Sequence, residues 1–297
     1  MPFGATMNFE EVLKGIQRRT ARAILKPLFS FHFIRRRALA MINRHYTKGE
    51  LTLRYRMPDH TLFLDPADDV IAARVLLRGD WQRRDLERVI VLLRKHVPAS
   101  EGRRFVDVGA NIGTETIYAM LSGHFSGAVS IEPEPHNFAL LIENITANSL
   151  AARVQAVNCA AGASAGPGLL VRGGANKGGH AIAETSANPD SISVEMRTVD
   201  AILQGMSLSA DNVGLVWIDV NGTESDVLAG MASLLKRRVP VVLEHLPDFI
   251  SAETAQNLHR LLARHYRFFC RVDDVDRQPT GLDNMDPSRD TGDFLFF

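Results

Sequence analysis

Apolar residues near the start of the chain recur at helical spacing. Phe9, Val12, Leu13, Ile16, Ala23 and Ile24 predict a helix over 8–26, with Arg18, Arg19 and Arg22 elsewhere on its surface, and Pro27 ends it. The run LFSFHFIRRR at 28–37 then alternates, so Phe29, Phe31 and Phe33 share one face of an extended segment ahead of Arg35, Arg36 and Arg37. LTLRYRMPDHTLFLD at 51–65 alternates around a Pro-Asp turn signal and predicts a hairpin. Residues 66–97 read as one helix containing Trp81 and the apolar stripe Leu86, Val89, Ile90 and Leu93.

From residue 104 the pattern becomes strand–helix alternation. Short apolar runs at 105–109, 128–133, 154–162, 213–220 and 239–246 predict strands. Helices are predicted over 114–122, 136–148, 223–237 and 251–265, with a short one near 200. A Gly-rich stretch, GGANKGGHA at 173–181, lies between the strand-like runs GLLVR and ISVEMR. Two further strands, 266–272 and 293–297, have no helix between them, so one is expected to run antiparallel at or near an edge. Near-continuous apolar strands alternating with helices imply an α/β domain with a mostly parallel sheet covered on both faces. The expected organisation is a basic helical extension (1–50), a hairpin-and-helix lead-in packed on the core (51–100) and the α/β domain (101–297).

Ligands of open parallel sheets bind beyond the carboxyl ends of the strands. The first such strand ends in VDVGANIG (106–113). Gly109 suits a tight turn, Asn111 tolerates a left-handed backbone, and Gly113 lets the next helix start close to the strand. The second strand ends in Glu132, nineteen residues after Gly113, the spacing of an acid that bonds a ribose hydroxyl. A dinucleotide fingerprint starting at Gly109 would place glycine at 111 and 114, where this chain has Asn111 and Thr114. Asp107 would also repel a pyrophosphate, so the acidic lip suits a cationic nucleoside such as S-adenosylmethionine.

VDVGANIGTET (106–116), SIEPEPHNFALLIENITAN (130–148), RTVDAIL (197–203), VWIDVNGTESDVLAGM (216–231) and VPVVLEH (239–245) together resemble the FkbM family of S-adenosylmethionine-dependent methyltransferases. The Asn-Gly element at 176–179 and the lead-in Arg78-Gly79-Asp80-Trp81-Gln82 share in the resemblance. The resemblance implies a Rossmann-like class I methyltransferase fold, a seven-stranded sheet with its last strand antiparallel. It also implies O-methylation of a saccharide or natural-product hydroxyl. By it, Asp107, Gly109, Asn111 and Gly113 match the donor-binding turn, Glu132 the ribose-binding acid, and Asn158 and Ala160 the adenine contacts. Asp219, Gly222 and Glu224 match the acidic motif after the fourth strand. The chain departs from the family at Asn221, usually Glu, at Trp217, commonly Lys, and at Gln82, a Glu-like position.

A hydroxyl acceptor benefits from a base that takes its proton as the new bond forms. Asp219, ending the fourth strand, is the first candidate for a base or donor-facing role, the alternative being a helix N-cap. Glu224 falls in a helix's first turn, where the dipole suits a carboxylate in any case. His245, ending the fifth strand beside Glu244, could also serve as the base, and His180 could reach over the site from the Gly-rich stretch. No zinc motif is present. An oxygen cluster of Asp219, Glu224 and Glu244 is the only metal candidate, and no metal is expected.

Charge adds an asymmetry to this picture. The chain has 34 Lys+Arg and 34 Asp+Glu, yet residues 1–56 carry twelve bases against three acids, which leaves the remainder at net −9. The basic arm therefore calls for an anionic surface, with the protein's own body or a homodimer favoured over a peripheral contact at the inner membrane face. A nucleic-acid partner is not expected, because the body is acidic and has no aromatic stacking platform beside its bases. Two cysteines, Cys159 and Cys270, suit a reducing cytoplasm, and the first residues lack a secretory signal. A catalytically silent scaffold and a nicotinamide-dependent oxidoreductase remain the alternative functions.

Overall fold

The computed structural model describes residues 51–174, 176–183, 189–247 and 250–297. The helix and aromatic run predicted over 8–37, and the whole basic extension to residue 50, lie outside the described residues. The described part opens with the predicted hairpin, β1 (Leu53–Arg56) and β2 (Thr61–Leu64). Two helices follow, α1 (Ile71–Arg78) and α2 (Arg83–His96), where the sequence predicted one. The break is at Gly79, whose φ of 97° ends α1 in a left-handed turn with its N–H on the Val75 carbonyl.

The α/β domain runs β3 (Arg104–Val108), α3 (Thr114–Leu121), β4 (Gly127–Ile131), α4 (Pro135–Ala147), β5 (Val154–Val157), β6 (Ala160–Ala161), β7 (Gly166–Val171), β8 (Ala181–Ala183) and β9 (Ile192–Arg197). It continues α5 (Val199–Gly205), β10 (Val213–Ile218), α6 (Glu224–Ala229), α7 (Ala232–Lys236), β11 (Val241–His245), α8 (Ala252–Ala263), β12 (Phe268–Arg271), β13 (Thr280–Gly281) and β14 (Gly292–Phe296). The main sheet has the order β13-β12-β14-β11-β10-β3-β4-β5. Seven of these strands are the expected ones, and the two-residue β13 adds an eighth at the edge. The last strand, β14, runs antiparallel to both β11 and β12 and lies between them, near one edge.

The central strands are largely apolar because both faces are covered, and alternate residues serve opposite faces. Phe105, Leu215, Trp217, Val242 and Leu295 join the cluster under the hairpin and α1 to α4. Val106, Val108, Val216, Ile218, Leu243 and Phe294 join the cluster under α5 to α8. Trp217, the departure where the family commonly has Lys, is 2% exposed and fills the first cluster.

Two further expectations are corrected. The strand predicted over 154–162 divides, because the chain leaves the main sheet after Val157 and β6 joins a second sheet of order β6-β9-β7-β8. The helix predicted over 223–237 also divides, because the Asp200 N–H draws off the Gly230 carbonyl while the Asp200 carboxylate accepts from Ser233 N at 2.9 Å and caps α7.

The lead-in is tied to the domain by two asparagines one turn apart on α4. Asn144 accepts from Phe63 N at 2.5 Å and donates to Phe63 O and Ile112 O, and Asn148 pairs with the N–H and carbonyl of Thr61. Asn144 is fully buried, so no water can replace it. Asn144→Ala is expected to lower the unfolding free energy by about 1–3 kcal/mol, the cost of unsatisfied buried groups. Urea titration checks this, and a shifted midpoint at unchanged slope is the expected result.

Candidate functional site

Parallel pairing aligns Val108 of β3 with Ile131 of β4 and Ile218 of β10. The residues that follow, Gly109, Glu132 and Asp219, are therefore side by side at the carboxyl edge. Gly109 has φ 87°, and a Cβ there would collide with the carbonyl of Asp219, so only glycine fits. Asn111 adopts φ 48°, as its tolerance for the left-handed region predicts. Gly113 opens α3 against Leu141, into which a Cβ would run.

Glu132 is 4% exposed, and both its oxygens are held: Oε2 accepts from Asn111 N and Oε1 from Glu134 N, each at 2.8 Å. Burial outweighs these bonds, and with Glu134 and Asp107 nearby it pushes the carboxyl up to about 8. A carboxylate has about four acceptor positions, so two remain for a ligand's hydroxyls. Asp107 is buried beneath the turn and accepts from Thr116 Oγ1 at 2.5 Å. Burial, together with the charge of Asp219, raises it to about 7.

The cleft at this edge is lined by Gly109, Asn111, Glu132, Ala160, Asp219 and Asn221, among others. Asn158 is exposed outside it and donates to the carbonyls of Glu132 and Pro133, holding the strand end rather than facing the cleft. A second cleft shares Val220 and Asn221 with the first and is lined by Glu224, Glu244 and His245.

Asp219 does not cap a helix, because α6 begins at Glu224 with Thr223 as its N-cap residue. Its carboxyl is raised by burial, with Gln82 Nε2 donating to it weakly at 3.5 Å. Glu224 accepts from Gly222 N at 3.1 Å and is raised by burial. His245 is 2% exposed, and its Nε2 bonds Pro287 O at 2.9 Å, which requires the proton on Nε2. This alternative candidate for the base thus loses that nitrogen to a structural bond.

The sequence offers Glu244 only as a candidate oxygen ligand and does not single out Asp293. Glu244 on β11 faces Asp293 on β14 in register, and both are pushed to about 7 by burial and then by Asp219. The signal was present, since strand alternation turns Glu244 opposite to its neighbour His245.

The Gly-rich stretch closes on this edge through three side-chain amides. Asn111 and Asn137 each donate to Lys177 O at 3.0 Å, and Asn221 donates to Gly178 O and His180 O at 2.9 and 2.8 Å. His180 lines the first cleft, and its Nδ1 accepts from Gly173 N at 2.9 Å. An ionised glutamate at 221 could only accept and could not make these bonds, so the departure at Asn221 acquires a physical role. Among the described residues no group of three or more His, Cys, Asp or Glu is placed to hold a metal, and no helix is long and apolar enough to cross a membrane.

The chain is similar in structure to a methyltransferase FkbM from Methylobacillus flagellatus, with 17% identity, TM-score 0.43, and coverage of 78% of this chain and 58% of that one. It is similar to an O-methyltransferase from Bacillus cereus in complex with SAH, with 16% identity, TM-score 0.42, and coverage of 77% and 87%. A transferase-like protein from Pyrococcus horikoshii shows 13% identity, TM-score 0.42, and coverage of 82% and 70%. The chain thus spans somewhat over half the length of the Methylobacillus protein. No curated protein matches the chain. The methyltransferase FkbM domain model matches residues 107–269, more than half of the chain, and the chain belongs to that family.

Proposed function

We propose that this protein transfers a methyl group from S-adenosylmethionine to a hydroxyl of a small acceptor, a saccharide or natural product. The observation that carries the reading is Glu132, a buried carboxylate fixed at both oxygens and set beside a glycine turn that admits no Cβ. That arrangement fits a ribose. The carboxyl of Asp107 beneath the turn fits a cation and opposes the pyrophosphate of a nicotinamide dinucleotide.

When bound, the donor would supply an electrophilic methyl, transferred in line to the acceptor oxygen with the demethylated thioether as leaving group. The chain's own residues then position and deprotonate. Glu132 accepts from the ribose hydroxyls, and Asp219 presents negative charge to the donor. Ala160 lines the wall where the resemblance puts the adenine, and the stretch at 177–180, held by the three asparagines, shields the donor from water. In the second cleft Glu244 is exposed and holds its proton up to about 7, which suits acceptance of the hydroxyl proton near neutrality. Asp219 is the alternative acceptor of that proton, while Glu224 and His245 shape the cleft. The basic arm, in this reading, covers an acidic face of the protein or of a second copy.

Three results are expected. Calorimetry should show one S-adenosylhomocysteine per chain, and Glu132→Ala should weaken it by about 1.5–3 kcal/mol, the range for hydrogen bonds to a charged group. Binding of NAD(H) in its place would overturn the reading. With the true acceptor, labelled-methyl transfer should rise with pH through about 7 as Glu244 loses its proton. Glu244→Gln should remove that rise and cost about 10²–10⁴ in kcat. Asn221→Asp replaces two donors by acceptors, so hydrogen exchange at Gly178 and Gly179 should quicken by about tenfold, equivalent to one or two lost hydrogen bonds.

A further inference from the structure

Glu134 stands between two prolines just beyond the end of β4. Pro133 and Pro135 have no backbone N–H, so the Glu134 N–H is the one backbone donor of the segment 133–135, and it is directed to Glu132 Oε1 at 2.8 Å. The Glu134 side chain is bound at both oxygens. Its Oε2 accepts from Asn137 N at 2.8 Å and caps α4, and its Oε1 accepts from Arg172 Nη2 at 2.7 Å. Arg172 directly follows β7, so this ion pair joins the second sheet to the start of α4. The mechanism above uses neither side chain.

Capping α4 needs no charge, since Ser or Asn would serve as well. A carboxylate at 134 is instead 4% exposed and two residues from Glu132, which is equally buried. Two carboxylates so placed repel, and the charge of Glu134 is among the causes that push Glu132 up. A buried carboxylate is costly unless a cation meets it, and Arg172 is the cation bonded to Glu134. Facing Glu132 stand Asp107 beneath the turn and, along the cleft, Asp219, Lys177 and His180. The Lys177 ammonium donates to Gly174 O, and His180 Nδ1 accepts from Gly173 N. Facing Glu134, in a cleft on its other side, stand Arg172, Lys177, Asp190 and His136, the last bonded to Asp65.

We propose that Arg172 is a positioning residue for the donor: by pairing with Glu134 it cancels the charge beside Glu132 and holds the Glu134 N–H on Oε1, so that Glu132 meets the ribose as a fixed carboxylate. The proposal rests on the donor reading above. It gives the second sheet a part in donor binding besides covering the first cleft with Leu170 and Ile182.

The test is calorimetry on the full chain with S-adenosylhomocysteine as the probe, repeated across pH. Arg172→Met should weaken binding by about tenfold at neutral pH, as expected for a charge-assisted bond, and Arg172→Lys, which keeps the charge, should recover most of that loss. Two double-mutant cycles trace the route. In a Glu134→Gln protein, where no charge needs cancelling, Arg172→Met should cost less than about twofold. In a Glu132→Ala protein it should likewise add almost nothing, because its effect passes through Glu132. Ribose binding uses the ionised Glu132, so wild-type affinity should rise as the pH climbs through about 8. Arg172→Met takes away a positive charge, the proton on Glu132 is held more firmly, and the rise should move to higher pH. Should the methionine variant melt below the titration temperature, Arg172→Gln runs the same cycles. If the loss is the same with Glu134→Gln or Glu132→Ala in place, if the pH rise does not move, or if Arg172→Met binds as wild type does, the positioning role is overturned and the donor reading stands. If wild type does not bind S-adenosylhomocysteine, both fall together.

Discussion

The close approach of Gly109 to the Asp219 carbonyl is the contact on which the site depends. It exists because β3 is paired in parallel and in register with β10, so the chain leaves both strands at the same height. No side chain can occupy that gap, and the two backbones therefore turn away together. Asn111 comes over Glu132 and pins it, and Asp219 is set at the cleft wall. The cleft and its acidic border both follow from one missing Cβ.

Electrostatics decides what that cleft accepts. Asp107, Glu115, Asp219, Glu224, Glu244 and Asp293 are all raised, with burial the largest cause in each. Raised carboxyls cost stability as the pH climbs above their unfolded values, so a fold tuned for stability alone would not gather them. The arrangement makes sense as complementarity to positive charge, and it is graded. Asp107 and Glu115 are buried, whereas Glu244, on the second cleft, faces solvent and can exchange its proton.

Amides complete what carboxylates begin. Asn111, Asn137 and Asn221 close the Gly-rich stretch on the carboxyl edge, and Asn144 and Asn148 dock the hairpin on α4. In each case the side chain meets backbone groups that no strand or helix would otherwise satisfy. Segments flanking the central sheet thereby become walls of the site.

The sequence by itself determined the alternation of strands and helices, the turn at 106–113, Glu132 at the end of the second strand, and the family. These are local signals: periodicity, a glycine turn and a spacing along one chain. It also singled out Asn221 and Trp217 as departures without their meaning. Tertiary packing alone decided that Trp217 is core, that Asn221 is a donor to the Gly-rich stretch, and that His245 spends Nε2 on Pro287 O. The break in the helix predicted over 223–237 belongs to the same class, set by Asp200 from a distant segment, whereas the break at Gly79 is a local glycine turn. The contact of Gln82 with Asp219, 137 residues apart in sequence, was likewise decided by packing. Periodicity reports which face of an element is buried, but which partner a polar atom finds depends on elements that only the folded chain brings together.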